Sequence, residues 1–216
     1  MNAEVTIMDY GIGNLFSVGR ALEECGANVT VSEDPAVIMA SPRLVLPGVG
    51  AFADGMRGLM ERRLERVVCD YANSGRPLLG ICLGMQMLAS VSEEFGEHAG
   101  LGIIPGRVVP IPATGADGRP HKIPHIGWSP LELPAGHAGW EDSILSEVNS
   151  GESVYLVHSL TVMPENDDHR LADCRYNGRV ISAAIRQGNV YGCQFHPEKS
   201  AGVGLTILKR FLAFKK

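Results

Sequence analysis

The chain lacks the features of several protein classes. It has no basic cluster before Lys215-Lys216 and carries a formal net charge of −5, so neither a nucleic-acid surface nor a membrane surface is expected. No segment approaches the roughly 18 consecutive apolar residues of a membrane span, and the first residues do not resemble a signal peptide. These absences predict a soluble, cytoplasmic protein.

Cysteine is scarce, and its spacing follows no pairing pattern. The five cysteines form an odd set without a C-x-x-C pair, which argues against a disulfide framework and against a zinc site. We therefore expect no metal and expect most of the thiols to be buried and unreactive. The cysteines stand at positions 25, 69, 82, 174 and 193.

The sequence also has no internal repeat, low-complexity tract or linker, so residues 1–216 are expected to form a single domain. The first hundred residues alternate apolar runs with helical periodicity, a pattern typical of a parallel α/β sheet. The expected strands are 5–8, 29–31, 44–46 and 78–81. A helix is expected to end at Gly26, and one long helix is expected to follow a buried stripe over 56–71.

Beyond residue 100, frequent prolines separate short extended segments and favour β structure over further helix. The expected strands here are 154–157, 180–185 and 190–194, with a closing helix over 204–214. The fold class predicted is therefore α/β, with a central, mostly parallel sheet flanked by helices and a β-rich second half.

Within the fourth predicted strand, Cys82 lies between Gly80 and Gly84 at the point where the strand gives way to a helix. Two glycines permit a sharp strand-to-helix turn that points the thiol at a substrate. The free N–H groups of the following helix favour the thiolate over the thiol. A buried cysteine in an apolar run is usually only a core residue, but a tight turn accounts for both glycines at once. The pattern predicts that Cys82 is a nucleophile.

A base and a carboxylate lie together at His196-Pro197-Glu198. The fixed φ of Pro197 holds the turn between them, so that Glu198 can accept an imidazole N–H and orient His196. This predicts His196 as general base and acid and Glu198 as its orienter. The alternative is a plain surface network of Glu198 with Lys199 and Asp9.

The segment Pro47-Gly48-Val49-Gly50 is by itself a weak motif and fits an ordinary loop. Beside a cysteine nucleophile, flexible glycine peptides are what an oxyanion hole requires, because N–H groups must point at a tetrahedral intermediate. Val49 and Gly50 are the candidates, with the N–H of Leu83 as the other natural donor.

Taken together, these segments resemble the class I, triad-type glutamine amidotransferases, and more narrowly the glutaminase subunits of imidazole glycerol phosphate synthases. The resemblance covers nearly the whole chain. It depends on residues 9–15, 46–52, 80–86, 124–128, 157–159 and 194–200.

The resemblance implies that Cys82 attacks the side-chain amide of glutamine and forms a γ-glutamyl thioester, without any cofactor. It also places a set of residues around the bound glutamine, largely through backbone groups. This set is Gly48, Gly50, Gln86, His158 and Ser159. For Gln86, helical spacing independently predicts the same face as Cys82, since the two are four residues apart.

The resemblance further implies a heterodimer in which the released ammonia passes to a cyclase subunit, which is a (β/α)₈ barrel, and serves histidine biosynthesis. Asn14, Trp128 and Lys199 are the candidates for the surface that faces this partner. For each a simpler role is open, namely a turn or cap asparagine, a buried tryptophan and a solvated lysine. A Gly48-Val49 peptide that reorients on assembly is a reasonable hypothesis for activation.

Two positions depart from the family pattern, which commonly has an aromatic residue at Leu160 and asparagine at Ser129. Three alternative functions stay open at this point: an amidotransferase serving a different synthase, a related cysteine hydrolase or peptidase, and a catalytically silent regulatory subunit. The last would not need Cys82, His196 and Glu198 together.

Overall fold

The computed structural model describes residues 2–214. Its helices are α1 (Leu15–Glu24), α2 (Pro35–Ala40), α3 (Phe52–Glu61), α4 (Glu65–Asn73), α5 (Leu83–Met87) and α6 (Ala201–Ala213). Its strands are β1 (Ala3–Met8), β2 (Ala27–Ser32), β3 (Leu44–Gly48), β4 (Leu78–Cys82), β5 (Val91–Ser92), β6 (His98–Ala99), β7 (Gly106–Pro110), β8 (His125–Pro130), β9 (Ser153–His158), β10 (Leu160–Pro164), β11 (Arg170–Tyr176), β12 (Arg179–Gln187) and β13 (Val190–Cys193). Short 3-10 turns lie at Asp167–His169 and Pro197–Lys199.

The central sheet has seven strands in the order β11-β12-β13-β4-β3-β1-β2. The five strands from β13 to β2 run parallel, and β12 and β11 extend the sheet antiparallel at one edge. The predicted mostly parallel α/β sheet is confirmed. Its central strands place loops from distant parts of the sequence at one edge, because the carboxyl ends of parallel strands meet there.

Both faces of this sheet are covered, which explains why its strands are apolar runs rather than alternating patterns. On β3, Val45 packs into the core on one face with α1 and α6, whereas Leu44 and Leu46 pack on the other with α2, α3 and α4. No helix within residues 2–214 has both the length and the apolar content needed to cross a membrane.

The second half of the chain is rich in strands, as the prolines predicted. It contributes β7 and β10 to a four-stranded sheet in the order β10-β7-β5-β6, and it forms a two-stranded antiparallel ribbon of β8 and β9. The ribbon matters for the site, because β9 ends at His158 and β8 begins at His125, directly opposite it.

The prediction of one long helix over 56–71 is wrong, because the chain forms α3 and α4 with a break between them. Arg63 adopts the left-handed region at φ 57°, and its N–H together with that of Leu64 bonds back to α3 carbonyls, which ends the helix. Leu64 is still buried, so the apolar stripe continues across the break. The spacing of apolar residues therefore does not reveal that the helix ends. Met60, which the predicted helix places on its buried stripe, is 52% exposed.

Candidate active site

Cys82 occupies the strained turn between β4 and α5. Its backbone lies at φ 55° and ψ −109°, a conformation that a residue with a side chain rarely adopts outside functional sites. A Cβ on Gly80 would approach the Gly84 carbonyl to 2.8 Å, and one on Gly84 would overlap the carbonyl oxygen of Leu46. Gly80 is therefore required for β4 to turn sharply into α5, and Gly84 is required for that turn to pack against β3.

His196 and Glu198 form a buried pair just after β13, the strand that lies beside β4 in the sheet. His196 Nδ1 lies 2.9 Å from Glu198 Oε1, and the two side chains are 4% and 1% exposed. The segment is tied to β9, because the His196 N–H donates to the Tyr155 carbonyl and the Tyr155 N–H donates to the Ser200 hydroxyl. Glu198 is thus engaged with His196 inside the protein and not with Lys199 or Asp9 at the surface.

The imidazole of His196 holds a proton more strongly than an ordinary histidine. Burial alone would lower its pKa, but hydrogen bonds with Cys82 and Glu198 outweigh the burial and raise the pKa to about 9. His196 is therefore protonated at neutral pH, and it can donate that proton to a leaving group.

A cavity of about 330 Å³ opens beside Cys82 and His196. The structure brings most of the predicted site residues to its wall, although they come from separate segments of the chain. They are Val49, Gly50, Cys82, Leu83, Gln86, His158, Ser159 and His196. Gly48 lies one residue before this set and pairs directly with Cys82 in the sheet.

The segment Pro47-Gly48-Val49-Gly50 is fixed at its first end and free at its second. The Tyr10 hydroxyl donates to the Pro47 carbonyl at 2.7 Å, and a Cβ on Gly48 would come within 2.6 Å of that hydroxyl. Beyond this point Val49 is 43% exposed, and Gly50 lies at φ 94° with open space around its Cα. The Pro47–Gly48 peptide is therefore fixed, and only the Gly48–Val49 and Val49–Gly50 peptides have room to reorient toward the thiol.

Two side chains of the site are not predicted by the sequence. Gln194 accepts a 3.0 Å hydrogen bond from Gln86, and its amide nitrogen lies 3.8 Å from Cys82 Sγ. Gln194 sits two residues before His196, but glutamine carries no motif that marks it as a contact of the thiol.

Glu94 is the other missed residue, and it is the acidic side chain among the residues lining the cavity. Its carboxylate accepts the Phe52 N–H at 2.5 Å, which anchors it at the start of α3. It lies in a loop after the short β5, where nothing in the sequence pattern indicates that the chain returns to the cysteine.

The three residues expected to face a partner differ in their surroundings. Asn14 caps α1 by accepting the Ser17 N–H at 3.2 Å, which is the simpler role left open for it. Trp128 is 54% exposed and so is not the buried tryptophan of the simpler alternative. Lys199 is exposed, in the turn that carries Glu198.

The remaining cysteines offer no second nucleophile. Burial raises the pKa of each of their thiols, to about 12 for Cys174, and all five cysteines are free. Cys174 and Cys193 are buried as expected, whereas Cys25 and Cys69 are only half-buried.

In the part of the chain described, 2–214, no group of three or more His, Cys, Asp or Glu side chains is placed to hold a metal ion.

Comparisons with known proteins give a family match and similar relatives over nearly the whole chain. The family model for glutamine amidotransferase class-I matches residues 6–214. Imidazole glycerol phosphate synthase subunit HisH 1 of Legionella pneumophila (strain Lens) is 52% identical over 210 residues, covering 97% of this chain and 99% of the relative. The subunit HisH of Syntrophotalea carbinolica is 47% identical over 210 residues, covering 96% and 98%.

Solved structures share the fold at low sequence identity. A chain from the structure of PurLQS from Thermotoga maritima superposes with a TM-score of 0.70 at 18% identity, covering 98% of both chains. A glutamine amidotransferase from Thermotoga maritima gives a TM-score of 0.64 at 17% identity, covering 94% of this chain and 79% of that one.

Proposed function

The chain belongs to the class-I glutamine amidotransferase family, and we propose that Cys82, His196 and Glu198 are the triad with which it releases ammonia from glutamine. The observation that carries this proposal is the buried His196–Glu198 pair beside a thiol in a strained turn, at the wall of a cavity. A binding module has no need for this combination, which disfavours a silent regulatory role.

The chain hydrolyses glutamine as a subunit of an imidazole glycerol phosphate synthase. Its relatives carry that subunit name, and about half of all positions are identical over nearly the full length of both chains. We propose that the ammonia passes directly to a cyclase subunit of (β/α)₈ form in histidine biosynthesis. Direct transfer keeps ammonia from water, where at neutral pH it is mostly protonated and no longer nucleophilic.

In the first half of the reaction, Cys82 Sγ attacks the side-chain amide carbon of glutamine. The oxygen of the tetrahedral intermediate becomes negatively charged and accepts N–H bonds from Leu83 and from the Val49–Gly50 loop. His196 gives its proton to the amide nitrogen, the C–N bond breaks, and ammonia leaves a γ-glutamyl thioester on Cys82.

In the second half, water replaces the thiolate on the glutamyl group. Acylation removes the thiolate partner that helps hold the proton on His196, so its pKa falls and the neutral imidazole can accept a proton from water. The hydroxide attacks the thioester, glutamate leaves, and the proton on His196 again faces a Cys82 thiolate. Glu198 orients the ring in both halves.

Glu94 is placed to recognise the amino acid end of glutamine. Its carboxylate lines the same cavity as Cys82, and an α-ammonium group is the natural partner for it there. Replacing Glu94 with glutamine removes the charge but keeps the shape. We expect KM for glutamine to rise about 10- to 100-fold while kcat changes little, because a hydrogen bond to a charged group contributes about 1.5–3 kcal/mol.

The adjacent Glu93→Gln is the matched control, because Glu93 pairs with Arg107 away from the cavity lining. Steady-state glutamate release at varied glutamine concentration measures both variants. Equal KM values for Glu94→Gln and Glu93→Gln would contradict the assignment.

Exposed apolar side chains next to the site support a partner surface. Phe16 is 79% exposed and borders a depression that includes Pro197 and Glu198, while Val49 at the cavity is 43% exposed. On β8, Ile126 and Trp128 are 59% and 54% exposed. We propose that the cyclase subunit covers these side chains, together with Lys199, and that Asn14 contributes through the helix it caps.

The functional test is glutamate release by the purified chain, alone and in the presence of both the cyclase and its nucleotide substrate. We expect slow release alone and a rate about 10- to 100-fold higher in the complex, because reorientation of the Gly48-Val49 peptide completes the oxyanion site. Full activity without the partner would contradict partner-dependent activation. Stimulation by a different synthase, and not by this cyclase, would support the alternative amidotransferase function.

A further inference from the structure

Three buried polar side chains form a continuous chain behind the cavity wall. His158 lines the cavity, and its Nε2 lies 3.0 Å from Nδ1 of His125. On the far side, Nε2 of His125 lies 3.1 Å from the hydroxyl oxygen of Ser129. The three residues are 5%, 3% and 4% exposed, so water does not compete for these bonds.

The hydrogen bonds determine where each proton lies. His158 Nδ1 is 2.7 Å from the Leu160 carbonyl oxygen, which only accepts, so this nitrogen carries the proton. The Nε2 of a neutral His158 then accepts from the Nδ1–H of His125. The Nε2 of a neutral His125 accepts in turn from the Ser129 hydroxyl.

Both rings are held neutral by their surroundings. Burial lowers the pKa of His158 to about 4 and also lowers the pKa of His125. The titratable groups near this pair are His196, on the active-site side, and His121 and Tyr176, which stack in sequence behind His125. Glu94 also lines the cavity with His158, but no carboxylate raises the pKa of either ring.

The chain of hydrogen bonds ends at the turn around Ser159, at the wall of the cavity. With both ring nitrogens engaged, His158 has none free for the substrate, and its i to i+2 bond to Leu160 instead shapes the turn around Ser159. Among residues 2–214, no hydrogen-bond partner is found for the Ser159 N–H or its hydroxyl, and Ser159 lines the cavity.

We propose that His125 is a positioning residue for glutamine, which acts by donating to Nε2 of His158, so that the ring stays against the Leu160 carbonyl and fixes the Ser159 donors at the cavity wall. The proposal depends on the proposed function, since glutamine is the ligand that these donors would meet. Ser129 completes the chain.

Steady-state kinetics of the reconstituted complex test the proposal, because a residue that positions glutamine should change KM and leave kcat nearly unchanged. His125→Phe keeps a ring against Tyr176 but removes the donor, and we expect KM for glutamine to rise about tenfold with kcat within about threefold. His125→Asn places an amide donor where Nδ1–H was and should restore KM to within about threefold of the original value. His121→Phe, the same substitution on the other side of Tyr176, should leave KM unchanged.

Nitrogen chemical shifts of the imidazoles provide a second measurement that does not depend on activity or on a variant folding. We expect His158 of the unaltered chain to be neutral at pH 7 with its proton on Nδ1. A proton on Nε2, or a charged ring, would overturn the proposal. A fall in kcat at constant KM in His125→Phe would also overturn it, because that result indicates only fewer folded molecules. If the unaltered complex failed to hydrolyse glutamine, the proposed function would be wrong, and the chemical shifts would still decide the arrangement of protons.

Discussion

Replacing Cys82 with serine is expected to reduce glutamine hydrolysis by on the order of 10⁴-fold or more while leaving the fold intact, since a residue that makes and breaks the bond has no substitute. Serine nearly matches the size of cysteine at a buried, strained position, so packing changes little. Its hydroxyl does not ionise as a thiol does, and His196 faces no thiolate. Glutamate release and a glutamine-binding titration of the same variant measure the two effects separately.

Cys69→Ser is the matched control for this substitution. Cys69 is half-buried on α4, away from the residues that line the cavity, and we expect its replacement to leave glutamate release unchanged. If Cys82→Ser retained the activity of Cys69→Ser, the proposed mechanism would be wrong.

Gly84→Ala is expected to destabilise the protein by about 3 kcal/mol or more, or to prevent folding, because overpacking here meets main chain. The new Cβ would overlap the Leu46 carbonyl oxygen and lie 2.9 Å from the Leu46 carbonyl carbon. Neither atom belongs to a flexible side chain, so β3 itself would have to move, together with Gly48. Helix propensity argues the other way, since alanine is favoured over glycine in α5 by about 1 kcal/mol, but the steric term is larger.

Gly202→Ala separates these two effects. Gly202 lies in α6, and a Cβ there would meet no atom within 4 Å. We expect this variant to be equally stable or more stable by up to about 1 kcal/mol. Urea unfolding of both variants provides the comparison, and a Gly84→Ala protein as stable as Gly202→Ala would show that the turn does not need glycine.

The parts of the site that the sequence predicts are those whose geometry is local. Gly80, Cys82 and Gly84 belong to one turn, and His196 and Glu198 are two residues apart, so spacing alone indicates what the side chains can do. The alternation of strands and helices predicts the parallel sheet for the same reason, because each element has its own periodicity.

The parts that the sequence could not predict depend on where distant segments meet. Glu94 reaches the cavity only because its loop returns to the start of α3, and His125 reaches His158 only through the register of β8 on β9. The break at Arg63 was missed for a different reason. An arginine in the left-handed region carries no mark in the sequence, and the buried stripe resumes at Leu64 as if the helix were continuous.

The central claim is that Cys82 forms a covalent bond with the glutamyl group, and it is tested most directly by acid-quenching the complex during turnover and mapping its peptides by mass spectrometry. We expect a γ-glutamyl group on the peptide that contains Cys82, removed by hydroxylamine as a thioester is, and no such group on peptides with the other four cysteines. Steady-state glutamate release without any adduct on Cys82, or with an adduct on another cysteine, would contradict the claim.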